Sequence, residues 1–285
     1  MTIKELIPLV VQISIALIVL SIALEAHPHD VRNLLGRPWL LVRSILSMNV
    51  VMPLIALALA VWLKLEDPVK VALVTLALSP VPPIFPHKAV KAGGNASYTL
   101  GLLVFASLVS IVFVPVAMEI IGRVFGYDLH VPPGVIAKVV VISILAPLAA
   151  GTAVRRLAPA VGQRLAGPLS MIGTGLLVVA VLPVLIKLWP AIVSLIGNYT
   201  LVAICAFVLA GLLVGHMLGG PDHDDRTVLA LSTATRHPGV AIGIAHAVGW
   251  DGPNVIAAVV LALLVGAVVC IPYVKWRKWK NSAAP

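Results

Sequence analysis

Charged residues are scarce in this chain of 285 residues, at 11% of the total, whereas apolar residues make up 60%. Soluble domains carry about a quarter charged residues, and a water-soluble core of this length could not hide so much apolar surface. Cysteine is scarce as well. Cys205 and Cys270 both lie within apolar runs, which favours two small buried side chains over a disulfide or a metal pair. We therefore expect a membrane protein with no soluble domain.

Nine apolar runs are long enough to cross a bilayer, which takes about 20 residues of helix. They cover residues 6–26, 38–63, 68–93, 95–121, 134–157, 167–187, 190–219, 225–249 and 254–274. The first run has no separate signal region before it and is long enough to remain as a span. The predicted fold is an all-α membrane protein with nine transmembrane spans.

The net charge of +9 does not cluster on a soluble face, so it does not favour nucleic-acid binding. If the C-terminus lies inside the cell, thirteen lysines and arginines fall on the inner side and six on the outer side. Cytoplasmic loops are enriched in basic residues. We therefore expect a multi-pass protein of the cell (plasma or inner) membrane, with its N-terminus outside and its C-terminus in the cytoplasm.

Two of the runs, 68–93 and 225–249, are interrupted and belong to an internal repeat. Pro80 follows Asp67 by thirteen residues, as Pro238 follows Asp225, and the offset between the halves is 158. Two further pairs have offsets of 159 and 160, namely Asn95 with Asn254 and Pro8 with Pro168. An odd number of crossings separates the halves, so the repeats are inverted. The predicted units are a first repeat at 1–121, an unpartnered fifth span and inner loop at 122–166, a second repeat at 167–274 and a basic tail at 275–285.

Both interruptions contain proline, which lacks an amide proton and cannot continue a helix undisturbed. The first, residues 79–86, carries four prolines. Inverted repeats with one interrupted segment each are typical of secondary transporters, whose binding site lies where the interruptions meet. The alternative is that these prolines only kink packed helices, although a kink does not need four of them.

Five short motifs are spread along nearly the whole length of the chain: Ser21 to Glu25 with Asp30, Val51-Met52-Pro53, the break at Pro80, Ala92-Gly93-Gly94-Asn95, and Gly239-Val240-Ala241. Through these motifs the chain resembles the bile acid:sodium symporter family. Each motif is weak, but their order and spacing are fairly specific. The resemblance implies a core domain with two crossing broken helices, a panel domain, and alternating access to a central organic-anion site. Ten-span members have one extra N-terminal helix, which explains the unpartnered fifth span.

The positions that the resemblance assigns to sodium differ here. The family's glycine pair and Ser-Asn pair after the first break read Val81-Pro82 and Phe85-Pro86. Its glutamate and Gln-Asn pair around the second break read Ser232 and Arg236-His237, and a polar position in span two is Met48. Sodium prefers oxygen ligands, as other hard cations do. The departures argue against sodium coupling and leave proton coupling or uniport open.

The predicted site is positively charged and suits a small anionic substrate, bile-acid-like or another carboxylate. Arg236 offers a planar fork of donors near the middle of the membrane, and a histidine could titrate near neutral pH. The alternative for Arg236 is a structural role, capping carbonyls freed by Pro238. The predicted substrate-binding residues are Phe85, Pro86, His87, Lys88, Thr235, Arg236 and His237; Lys88 could instead reach the lipid headgroups. The predicted ion-coupling residues are Ser79, Thr99, Ser232, Thr233 and His237.

No nucleophile with a base at recognisable spacing is present, so we do not expect an enzyme or a cofactor beyond Na⁺ or H⁺ as coupling ion. The alternative function is an intramembrane or metal-dependent enzyme that uses His27-Pro28-His29-Asp30 and Asp222-His223-Asp224-Asp225 on the inner face. We interpret both clusters as solvated loops, with Asp225 as a helix N-cap.

Gly211, Gly215 and Gly219, and likewise Gly239 and Gly243, are spaced for close helix packing. The expected partners are an anionic small molecule and the lipid bilayer.

Overall fold

The computed structural model describes residues 3–25, 34–250 and 252–282, without the side chains of residues 3–5, 7, 8, 281 and 282. Within these residues the fold is all-helical and contains no strand. The helices, numbered in chain order, are α1 Ile3–Glu25, α2 Pro38–Trp62, α3 Asp67–Leu78, α4 Phe85–Lys91, α5 Ala96–Phe125, α6 Pro133–Leu157, α7 Pro159–Ser194, α8 Thr200–Leu218, α9 His223–Ala234, α10 Pro238–Ala247 and α11 Pro253–Ser282.

Six helices are long and apolar enough to cross a membrane by themselves within the described part of the chain: α2, α5, α6, α7, α8 and α11. The apolar part of α1, Leu9–Glu25, is slightly shorter. The half-helices α3 and α9 have twelve residues each, so each extends about 18 Å and is too short to span about 30 Å alone. These helices make the chain a multi-pass membrane protein.

The two interruptions lie where the prolines predict them. α3 ends at Leu78, and helix resumes at Phe85. α9 ends at Ala234, and helix resumes at Pro238. Proline at the start of a helix is favourable, because the first amides have no helical acceptor and the ring already has a helical φ. Pro86 therefore lies in the first turn of α4, after Pro80, Pro82 and Pro83 have ended α3, whereas Pro238 both ends α9 and begins α10.

Two further prolines widen a helix without breaking it. The segments Leu46–Val51 of α2 and Val141–Leu145 of α6 are π-helical, and Pro53 and Pro147 follow them closely. In α2 the Met52 amide donates to the carbonyl of Ser47, five residues earlier. In this register the amide of residue 53 would donate to the carbonyl of Met48, but residue 53 is a proline and has no N–H. The carbonyl of Met48 is therefore left for a partner outside the helix.

The sixth and seventh spans differ from the prediction. The expected boundary between 167–187 and 190–219 does not exist, because α7 runs without interruption from Pro159 to Ser194 and also includes most of the predicted inner loop. Neither Trp189 nor Pro190 ends it. Prolines are tolerated within membrane helices because neighbouring groups satisfy the freed carbonyls. The actual turn occupies residues 195–199, where Asn198 and Tyr199 have positive φ angles of 38° and 63°.

Most of the buried apolar side chains form one large cluster, contributed mainly by α2, α3, α5, α8, α9 and α11. By contrast, α1 packs mainly against α7 and the second half of α6. A small separate cluster joins these helices to the first break and α5, with Ile18, Ile22 and Leu100 at its centre. The end of α7, including Ile192, packs into the large cluster.

The predicted glycine seam on α8 is confirmed. A Cβ atom on Gly211, Gly215 or Gly219 would overlap the main chain of α9. Only glycine therefore allows the two backbones to approach so closely. The second predicted seam is wrong: a Cβ on Gly243 would meet only Val139, at an ordinary 3.9 Å, and one on Gly239 would meet only the ring of its own neighbour His237.

Candidate functional site

The two interruptions touch each other. The amide of His237, between α9 and α10, donates a hydrogen bond of 2.9 Å to the carbonyl of Pro80, between α3 and α4. Neither group has a helical partner, since each lies in the extended stretch between two half-helices. The contact therefore pairs a donor freed by one break with an acceptor freed by the other.

Arg236 lies at this meeting point and is only 3% exposed. Its Nη1 donates to the carbonyl of Ser79 at 3.2 Å, and its Nη2 donates to the carbonyl of Met48 at 2.9 Å. Proline explains why both acceptors are free. Ser79 is the C-terminal capping residue of α3. If the helix continued, its carbonyl would accept from residue 83, which is a proline and has no amide proton. The carbonyl of Met48 likewise has no helical donor, because the residue that would donate to it is Pro53.

The charge of Arg236 has no counter-ion in the described part of the chain, where no carboxylate lies within salt-bridge distance of it. Its Nε–H is also buried without an acceptor there. Buried charges in proteins are usually paired, because removing an ion from water costs several kcal/mol even after relaxation. Two carbonyl dipoles compensate this guanidinium only in part.

His237 caps the helix that follows it. Its Nδ1 accepts a hydrogen bond of 3.3 Å from the amide of Val240, so this nitrogen carries no proton. The proton then belongs on Nε2, which lies 3.5 Å from the hydroxyl of Ser143 in α6. Protonation of Nδ1 would remove the cap. His237 is thus a neutral helix cap in this conformation, with only a long contact to α6.

The predicted hydroxyl groups do not converge on a common point. Four of them donate to carbonyls three or four residues earlier in the chain: Ser79 to Leu76, Thr99 to Asn95, Ser232 to Leu229 and Thr235 to Leu231. Thr233 is the exception, because its hydroxyl lies 2.7 Å from that of Ser47 in α2. This bond joins α9 to the π-helical segment that also binds Arg236.

The predicted substrate-binding residues of α4 differ in exposure. Phe85 and Pro86 are buried. His87 is half-buried, and its Nε2 lies 3.3 Å from the hydroxyl of Ser170 in α7. Lys88 is exposed. No described hydrogen bond connects any of these four side chains to Arg236.

The other end of α9 is fixed by two more arginines. Arg37 binds Asp225 at 2.6 Å and Asp222 at 3.0 Å. The hydrogen bond with Asp225, together with the charges of both carboxylates, raises the pKa of Arg37 above its ordinary value. Arg277 of α11 is fully buried and donates to the hydroxyl of Thr227 and the carbonyl of His223. Arginines thus hold both ends of this half-helix.

Asp225 is not the N-cap that the sequence predicted. The capping position is Asp222, whose side chain makes no capping bond, and Asp225 lies in the first turn. Asp225 is buried against Arg37, whereas Asp222, His223 and Asp224 are exposed, so the solvated interpretation is wrong only for Asp225. No group of three metal-binding side chains occurs among the described residues. The other predicted cluster, His27 with His29 and Asp30, lies outside the described residues.

The sequence prediction missed three partners of the site: the hydroxyl of Ser47, the carbonyl of Met48 and the hydroxyl of Ser143. All three lie in or beside the π-helical segments of α2 and α6. The available signal was the proline that follows each segment, because it frees a carbonyl one turn earlier. Which distant side chain would reach that segment could not be read from the proline alone.

A comparison with known protein families identifies the chain. The profile of the Sodium Bile acid symporter family matches residues 12–188, which is more than half of the chain and includes the first break. The matched region ends before the second break, so it does not cover Arg236. No curated protein matches the chain significantly. Members of this family are membrane transporters. The chain belongs to the sodium bile acid symporter family.

Proposed function

We propose that this chain is a secondary transporter that carries a small organic anion, bile-acid-like or another carboxylate, across the cell membrane. The observation that carries this proposal is the buried guanidinium of Arg236, which lies where the two breaks meet and has no carboxylate partner among the described residues. Ionisable groups at such depth are functional-site hypotheses by default. An anionic substrate would supply the missing counter-charge.

The geometry of Arg236 suits a carboxylate. A guanidinium has five N–H donors in a planar fork, and two of its nitrogens already bind carbonyls, which orients the fork before the substrate arrives. Nε–H remains without an acceptor in the described residues. A carboxylate that approaches this edge forms charge-assisted bonds in a poorly hydrated place, where they are about twice as strong as neutral ones.

We further propose that transport does not depend on sodium. Unwound main-chain carbonyls at the breaks of such transporters are ligands for a coupling cation. Here the carbonyls of Met48 and Ser79 bind the guanidinium instead, so a fixed positive charge occupies a place suited to a bound ion. A second cation would be repelled. Because His237 is engaged as a helix cap, uniport is favoured over proton coupling through His237.

The proposed movement is alternating access between two groups of helices. A panel of α1, α6 and α7 would move against a core of the remaining helices, in a nine-span topology with the N-terminus outside and the C-terminus in the cytoplasm. The packing of α1 mainly against α7 and the second half of α6, and the long contact between Ser143 and His237, support this division. The basic tail supports the orientation.

Uptake into proteoliposomes tests the coupling. Carboxylates that stabilise the purified protein in a thermal-shift screen, bile acids included, would serve as substrates. We expect equal initial rates when external sodium is replaced by potassium at constant ionic strength, and a non-zero rate with no ion gradient. A steep sodium dependence with a Hill slope above one would restore sodium coupling.

Substitution of Arg236 tests the anion site. Arg236→Gln should weaken binding of the carboxylate by about 2–5 kcal/mol, by analogy with truncation of one partner in a buried charge pair. Arg236→Lys should recover part of this, because it keeps the charge and loses the fork. Arg123→Gln is the control, since Arg123 is exposed and paired with Glu119. Lower thermal stability with unchanged affinity in monodisperse Arg236→Gln would make Arg236 a structural residue only.

A further inference from the structure

A small groove lies where the start of α2 meets the turn between α8 and α9. It has a volume of about 200 Å³, and Arg37, Trp39 and Arg43 line one side while Gly220 and Pro221 line the other. Small-molecule sites usually occupy about 300–1,000 Å³. The groove is therefore too small for a typical ligand pocket and large enough for a phosphate headgroup.

Arg43 is the cation that this groove leaves available. Arg37 is already bound by two carboxylates, Asp222 and Asp225. No carboxylate of the described residues pairs with Arg43, whose guanidinium lies 5.3 Å from the centre of the Trp39 ring. A Cβ on Gly220 would lie 3.5 Å from Nη1 of Arg43, so the guanidinium extends along the groove toward this turn. An anion in the groove would meet a positive charge that no carboxylate of the described residues neutralises.

The position of the groove identifies the source of the anion. α2 is a helix that can cross a membrane, and the groove opens beside its first turn. Trp39 is 66% exposed there, as is typical of tryptophan at the lipid headgroups. Arg43 lies four residues after Trp39, about 6 Å further along the helix, and its long side chain can extend back toward the interface. Pro38 and Leu40 add apolar surface beneath the ring.

We propose that this groove binds the phosphate of an anionic phospholipid headgroup, with Arg43 as its principal contact and Trp39 beside the glycerol. The bound lipid would brace the start of α2 against the turn before α9. Because α9 leads to the second break, the lipid stabilises the arrangement around Arg236. This site is separate from the proposed anion site, and its test does not depend on transport.

Lipid binding can be measured on the purified full-length chain in a neutral detergent. Native mass spectrometry with added phosphatidylglycerol should retain one tightly bound lipid, and thermal stability should rise with phosphatidylglycerol but not with phosphatidylcholine. In Arg43→Gln, this affinity should fall about tenfold to a hundredfold, since one charge-assisted contact is lost. Arg164→Gln is the control, because Arg164 is a basic residue of the predicted inner side that lies outside the groove.

Three results would overturn the proposal: equal retention of phosphatidylglycerol by Arg43→Gln and Arg164→Gln, equal stabilisation by phosphatidylcholine, or displacement of the lipid by inorganic phosphate at millimolar concentration. The last would identify a free-phosphate site. If Arg43→Gln does not fold, Arg43→Lys and Trp39→Phe give the same comparison, since each retains most of the packing and should bind the lipid more weakly.

Discussion

Gly211 provides a direct test of how the second break is held in place. It lies on α8 against the end of α9, and a Cβ atom at this position would lie 2.7 Å from Cα of Ala234 and 3.0 Å from the carbonyl oxygen of Thr233. Both are main-chain atoms, so neither can rotate away. Non-bonded carbon atoms pack at about 3.5–4.0 Å, so Gly211→Ala must move α9 outward by about 1 Å.

Two opposing free-energy terms determine the size of the effect. Overpacking of this kind costs about 1–3 kcal/mol. Replacing a helical glycine by alanine gains roughly 1 kcal/mol. Gly175 on α7 isolates the second term, because it is exposed within a helix and nothing lies within 4 Å of a Cβ built there. The propensity gain cancels between the two variants, so Gly211→Ala should be less stable than Gly175→Ala by about 1–3 kcal/mol.

Thermal unfolding of both variants in the same detergent measures this difference. The outward shift of α9 should also stretch the 2.7 Å bond between Thr233 and Ser47, so uptake should fall in Gly211→Ala more than in Gly175→Ala. Equal melting temperatures for the two variants would refute the close approach of α8 and α9. Equal uptake despite unequal stability would refute the link between this seam and the site.

Two more predictions concern the start of α9 and the topology. Asp225→Asn should lower stability by about 1–2 kcal/mol, because its carboxylate is buried against Arg37, whereas Asp67→Asn breaks only an exposed pair with Lys70 and should cost under about 0.5 kcal/mol. Equal losses in thermal unfolding would contradict this. In a variant without the two native cysteines, Lys278→Cys should react with an impermeant thiol reagent only from the inside, and Lys64→Cys only from the outside; the reverse pattern would invert the topology.

The sequence was sufficient to locate both breaks, because each depends on a local property. Four prolines within residues 79–86 remove several amide donors in succession from the first break, and Pro238 has the matching place in the second repeat. The glycine spacing on α8 likewise depends on one face of one helix. These features were predicted correctly since the proline cluster, the repeat and the glycine spacing are all visible in the sequence itself.

The boundary between α7 and α8 was predicted wrongly because Pro190 resembles a helix end and lies within a helix. Whether a membrane helix tolerates a proline depends on what its neighbours offer the freed carbonyl, and the sequence does not show the neighbours. A better signal was the pair Gly197-Asn198, since both residue types accept positive φ, and the observed turn uses it.

The partners of Arg236 could not be predicted for the same reason. They are carbonyls, which every residue has, so no residue type distinguishes Met48 or Ser79 as acceptors. They are distinguished only because no amide of their own helix donates to them. In each case the residue that would donate is a proline, Pro53 for Met48 and Pro83 for Ser79. Finding them requires the long-range pairing of three segments that the fold brings together.

The prolines that break and widen these helices also explain why the breaks must meet. In a bilayer no water is available to a freed carbonyl, and each unsatisfied group costs several kcal/mol. The carbonyls of Met48, Ser79 and Pro80 all receive their donors from Arg236 and His237. If the breaks separated, three acceptors and a guanidinium would lose their partners together. The half-helices around Arg236 are therefore expected to move together, so the moving boundary of the proposed transport cycle should lie beside the crossover and not through it.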